Sequence, residues 1–200
     1  SVVNALSDYT RAEVHKDGDI WMQEYSQGNK KAAVKKIGKT KNNGTIITFQ
    51  PDPTIFKEGI AFDHKTIVDH VRQQAYLVKK LRVTVIDARE VKEKFDANSA
   101  FWFRDLNIEA PSTTYYFEGG IQSMVRHYNQ LQKPIHDTVF YCEKEQDNVG
   151  IEIALQYVDD ISARIVPFAN NIYNPEQGTH VTGFKTALTR VLNTYGKKNN

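Results

Sequence analysis

The side chains that most often carry catalysis or bind metals are few in this sequence and form no recognisable pattern. No two of its six histidines stand three or four residues apart, the spacing that places two metal ligands on one face of a helix. Cys142 is the only cysteine, which excludes a disulfide within the chain and a zinc site built from several thiolates. The sequence also lacks a Gly-x-Ser-x-Gly elbow, a phosphate-binding loop and a dinucleotide fingerprint. We therefore expect neither a catalytic residue nor a metal site in this segment.

A pair of glycines, Gly119 and Gly120, precedes a predicted helix. Unpaired amides at a helix N-terminus bind anions, so the pair could bring a phosphate to that helix. Glycine pairs also form tight turns between a strand and a helix, because glycine adopts backbone angles that other residues avoid. Of these two interpretations we favour the turn.

Three cations, Lys185, Arg190 and Lys197, lie on the polar side of a predicted C-terminal helix. Such a stripe could contact nucleic-acid phosphates, but exposed helices commonly carry solvated cations. The charge of the whole chain does not decide the matter, since 26 basic and 24 acidic residues give a net charge of only +2. Taken alone, the stripe favours a solvated surface.

The first half of the chain is predicted to form antiparallel sheet. Asp17-Gly18 separates two alternating runs, 11–16 and 19–25, and Asp-Gly in that position favours a two-residue β-hairpin. A second pair of strands is predicted at 31–37 and 45–49, joined by a polar stretch. Because side chains alternate along a strand, we expect the following residues to share one face of it: Thr45, Ile47 and Phe49.

Helices are predicted before and after a second set of strands. Asp63 is the expected N-cap of one helix. The last helix is predicted to begin at Thr179 and to end at Gly196, where a C-terminal glycine cap is expected. The strands between them are predicted at 81–87, 113–117, 136–143, 149–157 and 162–168. The apolar residues expected to form the buried stripe of the last helix are Val181, Phe184, Leu188, Val191 and Tyr195.

The chain carries no sign of a membrane or secretory segment. No apolar run approaches the roughly 20 residues that a membrane helix needs, and the first residues lack the basic start of a signal peptide. We expect a cytoplasmic protein. The chain also begins inside an apolar helical pattern without its own cap, so we expect it to be a fragment.

Seven stretches, in order along the chain, resemble the DNA gyrase B family of type IIA topoisomerases. The C-terminal half matches best. Ordered motifs of this kind are highly specific. The stretches are SVVNALS (1–7), NGT (43–45), FEGGI (117–121), KPIH (133–136), IEIALQY (151–157), FANNI (168–172) and GTHVTGFKTALTR (178–190).

The resemblance implies an α+β fold in two incomplete parts. Residues 1–92 would be the C-terminal part of a GHKL ATPase α/β sandwich. Residues 113–200 would be the N-terminal part of a transducer domain, a two-layer, ribosomal-protein-like fold of order βαβββα. Between them, 93–112 would be a linker or insertion that is longer and more aromatic than the family pattern.

For the binding site, the resemblance implies that this segment keeps only the floor of a nucleotide pocket. Thr45 matches the threonine near the adenine, and Ile47 matches an apolar wall position. Residues Ser1, Val2 and Val3 match the helix that follows the family's glycine-rich lid.

Lys16 matches a position at the mouth of the pocket that is usually arginine in the family. A bidentate contact made there by arginine would be weaker with lysine, and a solvated lysine is the equally weighted alternative. The family's catalytic glutamate, magnesium-binding asparagine and adenine-binding aspartate would all precede Ser1. The lysine loop that reaches the terminal phosphate would follow Asn200. Hydrolysis by this segment alone is therefore not expected.

The resemblance also implies the cofactors and partners of a parent protein. ATP and Mg²⁺ would be its cofactors, and neither is expected to bind well to this fragment. Its partners would be DNA, a gyrase A subunit and a second copy of the gyrase B polypeptide, with Lys185 and Arg190 as candidates for facing the DNA. The parent would couple ATP binding and hydrolysis to DNA strand passage and negative supercoiling.

Three other functions stay open at this stage. The parent could be the ATPase polypeptide of topoisomerase IV, which relaxes DNA without supercoiling it. The chain could be a non-catalytic module that binds nucleic acid. It could also belong to another GHKL protein, such as a mismatch-repair ATPase, although such a protein should lack the stretch at 178–190.

Overall fold

The computed structural model describes residues 2–92 and 109–199. The chain divides into two compact units, one made of 1–67 with 86–112 and the other of 68–85 with 113–200. Each unit combines helix with β-structure, so the predicted α+β class is confirmed.

The domain boundaries predicted from the sequence, 1–92, 93–112 and 113–200, stay a prediction. The compact units assign 68–85 to the same unit as the C-terminal half. The aromatic residues of the predicted insertion, Phe101, Trp102 and Phe103, lie outside the described residues.

The first unit is built on a five-stranded sheet. Strands β3, β2, β1 and β5 follow one another in that order, and β4 pairs with β2 beside β3. The elements are α1 (Val2–Ala5), β1 (Ser7–Lys16), β2 (Asp19–Ser26), β3 (Asn29–Lys30), β4 (Lys35–Lys39) and β5 (Gly44–Pro51).

The hairpin predicted at Asp17-Gly18 is confirmed. Strands β1 and β2 are antiparallel, and Lys16 pairs directly with Asp19 across the turn. Asp17 and Gly18 have φ angles of 53° and 81°. Positive φ at both central residues is the geometry that matches the twist of a two-residue hairpin.

The second predicted strand pair is wrong in its partners. Both strands exist, but β4 pairs with β2 and β5 pairs with β1, each in antiparallel register. Alternation shows which side chains share a face of a strand, but it does not show which strand lies beside it.

The second unit holds most of the remaining elements. Helix α2 begins in the first unit and continues into the second, whose boundary follows Ile67. Three strand pairs are formed, β6 with β7, β8 with β9, and β10 with β11. The elements are α2 (His64–Leu77), β6 (Arg82–Ile86), β7 (Ser112–Tyr116), α3 (Ile121–Tyr128), β8 (Phe140–Gln146), β9 (Val149–Leu155), β10 (Phe168–Ala169), β11 (Ile172–Tyr173) and α4 (Thr179–Asn199).

The predicted N-cap of α2 is confirmed. The backbone N–H of Thr66 donates to Asp63 Oδ1 at 2.6 Å, which satisfies one of the free amides of the first turn. Hydrogen bonds from Thr66 hold the pKa of the Asp63 carboxyl below its ordinary value.

The predicted end of α4 is wrong. The helix begins at Thr179 as expected, but it continues through Gly196 to Asn199. Asn199 Nδ2 donates to the carbonyl of Tyr195 at 2.8 Å and supports the last turn. A glycine inside a helix costs only about 1 kcal/mol relative to alanine, so Gly196 does not force a stop.

The strand predicted at 162–168 is also wrong. Only Phe168–Ala169 is extended there, and it pairs with Ile172–Tyr173 around a tight turn. Asn170 and Asn171 make that turn with φ angles of 48° and 65°, which asparagine tolerates better than most residues.

Burial differs between the units. The first unit buries mainly polar side chains, among them Ser7, Thr10, Glu13, His15 and Asp52, and the apolar Met22. The second unit buries Ala75, Tyr76, Met124, Val139 and Val181.

The stripe predicted for α4 is buried only at its N-terminal end. Val181 is buried and Phe184 is half-buried, whereas Val191 and Tyr195 are 61% and 68% exposed. Among the described helices, none has the length and apolar character needed to cross a membrane.

Candidate functional site

Thr45 and Ile47 lie on one face of the five-stranded sheet, as the sequence predicted. In the antiparallel register Thr45 of β5 pairs with Val14 of β1, and Ile47 pairs with Ala12. Directly paired residues in antiparallel strands point to the same side. We call this side of the sheet the open face.

The open face is apolar and exposed. The exposed fractions are 56% for Ile47, 43% for Phe49 and 39% for Val14. Phe49 meets Phe62 edge-on, with ring centroids 6.2 Å apart. Thr45 adds a hydroxyl to this surface, so the face suits a flat apolar group with one polar edge.

Lys16 continues the open face at the end of β1. It lies two residues beyond Val14, on the same side, and pairs with Asp19 across the hairpin. Its predicted place beside Thr45 and Ile47 therefore agrees with the register. The role of these residues as nucleotide contacts stays a prediction.

The opposite face of β1 is polar and buried. Glu13 and His15 are 4% and 5% exposed, and Arg11 forms an ion pair with Glu13. His15 Nδ1 lies 3.0 Å from Thr40 Oγ1. Thr40 Oγ1 in turn accepts a hydrogen bond from the backbone of Asn42 at 3.0 Å, so β1 holds the loop that leads to Thr45.

Helix α1 lies at the other end of β5. The N–H of Asp52 donates to the carbonyl of Leu6 at 3.0 Å, which ties the end of α1 to the Pro51 end of the strand. Thr45 is six residues away along the strand, or about 20 Å.

The role of Val2 and Val3 of α1 as nucleotide contacts stays a prediction. Val2 and Val3 are 73% and 47% exposed, and Ser1 lies outside the described residues.

Asp52 anchors this end of the sheet. Its side chain is 2% exposed and accepts hydrogen bonds from the backbone and hydroxyl of Thr54, at 2.8 and 2.7 Å, and from Gln27 Nε2 at 2.6 Å. The hydrogen bonds from Thr54, with that from Gln27, lower the pKa of the Asp52 carboxyl.

The glycine pair before α3 makes a turn. A Cβ on Gly120 would lie 2.7 Å from Cγ of Lys79, and the φ angle of Gly120 is +54°. Both facts require glycine for steric reasons, which supports the turn interpretation over the phosphate site.

The side chain of Lys79 passes over Gly120 and ends in a polar cluster on the β8–β9 hairpin. Its ammonium contacts Tyr141 and lies 3.0 Å from Glu143 Oε2 and 3.1 Å from Glu152 Oε1. The hydrogen bond to Tyr141 is the main cause that raises the pKa of Lys79, whereas burial raises the pKa of Tyr141 to about 12. The cluster ties the end of α2 to the hairpin.

A second polar surface runs along α4. It includes the predicted DNA-facing residues Lys185 and Arg190 together with Lys197, and the helix sequence contains no acidic residue. The hydroxyls of Thr186, Thr189 and Thr194 donate to carbonyls of the preceding turn. The cations and Asn193 are the remaining donors on this surface, and Lys185 Nζ donates to Gln177 Oε1 at 3.1 Å.

Two features were missed by the sequence analysis. Trp21 pairs with Val14, lies on the open face and is 42% exposed. Its position could have been found, because paired residues are placed symmetrically about a two-residue turn at Asp17-Gly18. The Lys79 cluster joins residues more than 60 positions apart and had no local signal.

The described residues contain no group of three or more histidine, cysteine, aspartate or glutamate side chains arranged to hold a metal ion.

Comparison with known proteins finds similarity to DNA gyrase B sequences. The sequence model of the DNA gyrase B family matches residues 120–200. The DNA gyrase B polypeptide of Bacillus mycoides is 40% identical over 200 residues, which cover 100% of this chain and 45% of that protein. The DNA gyrase B polypeptide of Halalkalibacterium halodurans is 40% identical over 200 residues, covering 100% of this chain and 29% of that protein.

Solved structures give the same result for the fold. The 43K ATPase domain of Thermus thermophilus gyrase B, in complex with an aminocoumarin, matches 99% of this chain and 49% of its own, with a TM-score of 0.81 and 28% identity. The B-subunit of Myxococcus xanthus DNA gyrase matches 92% of this chain and 48% of its own, with a TM-score of 0.72 and 21% identity. The chain thus spans less than half the length of these relatives.

Proposed function

Since this chain belongs to the DNA gyrase B family, we propose that it is part of the ATP-binding subunit of a type IIA topoisomerase. That subunit would couple ATP binding and hydrolysis to DNA strand passage and negative supercoiling. The observation that carries the proposal is 40% identity to a gyrase B polypeptide over the whole chain. The first half would supply one wall of the nucleotide site, and the second half would relay the state of that site.

The open face supports the nucleotide part of this proposal. Thr45 offers a hydroxyl that can donate to or accept from the edge of an adenine base. Ile47 and Val14 offer an exposed apolar surface for the plane of the base. Thr45 and Ile47 pair with Val14 and Ala12 of β1, and these two residues pair with Trp21 and Gln23 of β2. Among these four partners, Gln23 has an amide side chain and none has a carboxylate.

These residues fit the base of ATP and do not fit its triphosphate with Mg²⁺. Magnesium prefers several oxygen ligands, usually carboxylates and phosphate oxygens, and Thr45 alone cannot supply them. In the proposal, residues of the parent protein outside this chain hold the phosphates and the metal ion. The fragment alone is then expected to bind ATP weakly and not to hydrolyse it.

Nucleotide binding by the full-length polypeptide that carries this chain tests the role of Thr45. Replacing Thr45 with alanine removes one hydrogen bond, worth about 1 kcal/mol, so we expect about fivefold weaker binding of a non-hydrolysable ATP analogue. Thr48→Ala is the matched control, because Thr48 lies on the same strand and pairs with Arg11 on the opposite face. Equal affinities of the two variants for the ATP analogue would show that the Thr45 hydroxyl does not contact the nucleotide.

The second half of the chain is proposed to contact DNA through α4. The basic face with Lys185, Arg190 and Lys197 suits the phosphate backbone, which dominates sequence-independent binding. This surface is also the observation that favours a non-catalytic nucleic-acid module as the second candidate function. If the full-length polypeptide binds DNA through this chain with the same affinity in the presence and absence of ATP, that result would support the non-catalytic module.

The partners of the relatives extend the proposal. A gyrase A subunit, a second copy of the gyrase B polypeptide and DNA are the proposed partners, and the bacterial cytoplasm is the proposed location because the DNA lies there. Relaxation of DNA without supercoiling by the assembled enzyme would point to topoisomerase IV instead.

A further inference from the structure

The second unit contains a cavity that the proposed function leaves unused. It has a volume of about 510 Å³ and lies between α2, the end of β7 and α3. Small-molecule sites in proteins have volumes of about 300–1,000 Å³. The described residues that line it all belong to the second unit, so one compact unit supplies this lining. We call it the α3 cavity.

Aromatic rings form the floor of the α3 cavity. Tyr76 of α2 stacks on Phe117, with ring centroids 3.8 Å apart and ring planes inclined by 18°. The rings of His127 and Tyr115 continue this row at its two ends, with centroids 6.0 Å from Tyr76 and 6.1 Å from Phe117, respectively. Aromatic rings bind another ring by stacking or by edge-to-face contact. The floor therefore suits a flat apolar group.

The hydroxyl of Tyr76 has no hydrogen-bond partner among the described residues, although Tyr76 is only 5% exposed and lines the cavity. Burial is the main cause that raises the pKa of this hydroxyl, so it keeps its proton at neutral pH and remains a donor. Buried polar groups are nearly always hydrogen-bonded. An acceptor atom on a ligand would satisfy this one.

Two arginines bring positive charge to the cavity. Arg126 of α3 has no ion-pair or hydrogen-bond partner in the part of the chain that the structure describes. Arg72 of α2 donates to Asp69 Oδ1 at 2.8 Å, and its guanidinium has further N–H donors. The position that a Cβ of Gly119 would take lies 2.6 Å from Ser123 Oγ and 3.8 Å from Arg126 Nη1, so these two donors lie close together. None of the described lining residues is acidic, so the lining favours an anion.

We propose that the α3 cavity binds a small planar anion, which consists of a flat ring that carries a carboxylate or a phosphate. The ring packs on the aromatic floor, and the oxyanion accepts hydrogen bonds from Arg126, Arg72 and the Tyr76 hydroxyl. Arginine suits this role because its planar guanidinium can donate to two oxygen atoms of a carboxylate or a phosphate at once. The proposal goes beyond the nucleotide site, because it involves neither Thr45 nor any other residue of the first unit.

Isothermal titration calorimetry on the full-length polypeptide that carries this chain tests the ligand class. A saturating concentration of a non-hydrolysable ATP analogue is present throughout, so that the probes cannot occupy a nucleotide site. Naphthoate and naphthyl phosphate combine the ring with each oxyanion, and the tighter of the two identifies the preferred oxyanion. Naphthylmethanol lacks the charge and inorganic phosphate lacks the ring, so each should bind at least about tenfold more weakly. The proposal is overturned if neither anionic probe binds, or if either incomplete probe binds as tightly as the complete ones.

Replacement of Arg126 tests where the probe binds. Arg126→Gln should weaken binding of the tighter probe about tenfold, because charge-assisted hydrogen bonds are lost. Arg82→Gln is the matched control, since Arg82 is an exposed arginine of β6 that lies over the ring of Tyr116 and does not line the cavity. It should leave the affinity unchanged. An equal loss in both variants would show that the probe responds to surface charge in general, which would overturn the site.

Tyr76→Phe separates binding from a structural role. This variant keeps the ring that stacks on Phe117 and removes only the hydroxyl. We expect about threefold to fivefold weaker binding of the probe, because one hydrogen bond is lost. The melting temperature of the ligand-free protein should not fall, because the hydroxyl has no partner among the described residues. Wild-type affinity in Tyr76→Phe, or a lower melting temperature together with weaker binding, would overturn the proposed contact.

Discussion

At Gly120 the backbone conformation and the packing impose the same restriction. The φ angle of +54° is unfavourable for residues with a Cβ, and that Cβ would lie 2.7 Å from Cγ and 3.1 Å from Cε of Lys79. Moving the Lys79 side chain away from Gly120 would break the contacts of its ammonium with Tyr141 and Glu143. The residue type at this position is therefore fixed by the turn and by the cluster together.

Replacing Gly120 with alanine is expected to destabilise the second unit by about 1–3 kcal/mol, because residues with a side chain rarely adopt its φ of 54° and ψ of −130°. Gly183→Ala is the matched control. Gly183 lies inside α4 with open space around its Cα, so alanine there should stabilise the protein by about 0.5–1 kcal/mol. Chemical denaturation measures both changes. Equal effects of the two substitutions would show that Gly120 has no special constraint.

The placement of Thr45 and Ile47 on one face of a strand was predictable, because side chains alternate along a strand. Thr45 and Ile47 stand two apart on one strand, and Trp21 follows from the two-residue turn. The roles of Val2 and Val3 were inferred from the resemblance alone. The hydrogen bond that ties the end of α1 to the Pro51 end of β5 joins Leu6 and Asp52, which lie far apart in the sequence, so no local pattern could indicate it.

At the scale of elements, one ionised carboxylate ties the end of β5 to the turn between β2 and β3. Asp52 accepts three hydrogen bonds from Thr54 and Gln27, and their donors stabilise the charged form. The pKa of Asp52 is lower in the folded state than its ordinary value. A lowered pKa contributes stability above the pKa of the unfolded chain, and this contribution disappears as the pH falls through the folded pKa.

The melting temperature of Asp52→Asn should therefore be lower than that of the wild type near neutral pH. The difference should shrink as the pH falls from about 5 to about 2, because protonated aspartate and asparagine are both uncharged. Asp8→Asn is the control, since Asp8 is exposed on the neighbouring strand and its replacement should change the melting temperature little near neutral pH. A constant difference for Asp52→Asn across this range would refute the role of its charge.

Helix α4 gives a second prediction at this scale. Its basic face predicts that each cation in contact with a phosphate contributes about one unit to the slope of log affinity against log salt concentration. The double variant Arg190→Ala with Lys197→Ala should reduce the slope for duplex DNA by about 2 in the full-length polypeptide. Lys57→Ala, an exposed lysine of the first unit, should leave the slope unchanged. An unchanged slope in the double variant would indicate that the cations of α4 are solvated surface residues that do not contact DNA.

The elements themselves were largely predictable, and their partners were not. The cap at Asp63, the hairpin at Asp17-Gly18 and the strong alternation in β9 are local signals, and each produced the expected element. The pairing of β4 with β2 depends on the whole sheet. The continuation of α4 past Gly196 depends on the weak cost of glycine in a helix with adequate neighbours.

At the scale of the whole molecule, each compact unit leaves apolar side chains exposed. In the first unit these include Val14, Ile47 and Phe49 of the open face, and in the second they include Val191 and Tyr195 of α4. The chain spans less than half the length of its gyrase B relatives. A contiguous exposed apolar surface is typical of a binding site, and the neighbouring positions of Val14 and Ile47 on the open face make such a surface there.

The central claim is that the open face is one wall of the ATP site of a gyrase. Its most direct test is ATP-dependent supercoiling of relaxed plasmid by the full-length polypeptide that carries this chain, combined with a gyrase A subunit as the proposed partner. We expect negative supercoils with ATP, and we expect Thr45→Ala to need about fivefold more ATP than wild type for the same rate, because one hydrogen bond to the base is lost. The absence of supercoiling, or the same ATP requirement for Thr45→Ala and the wild type, would contradict the account.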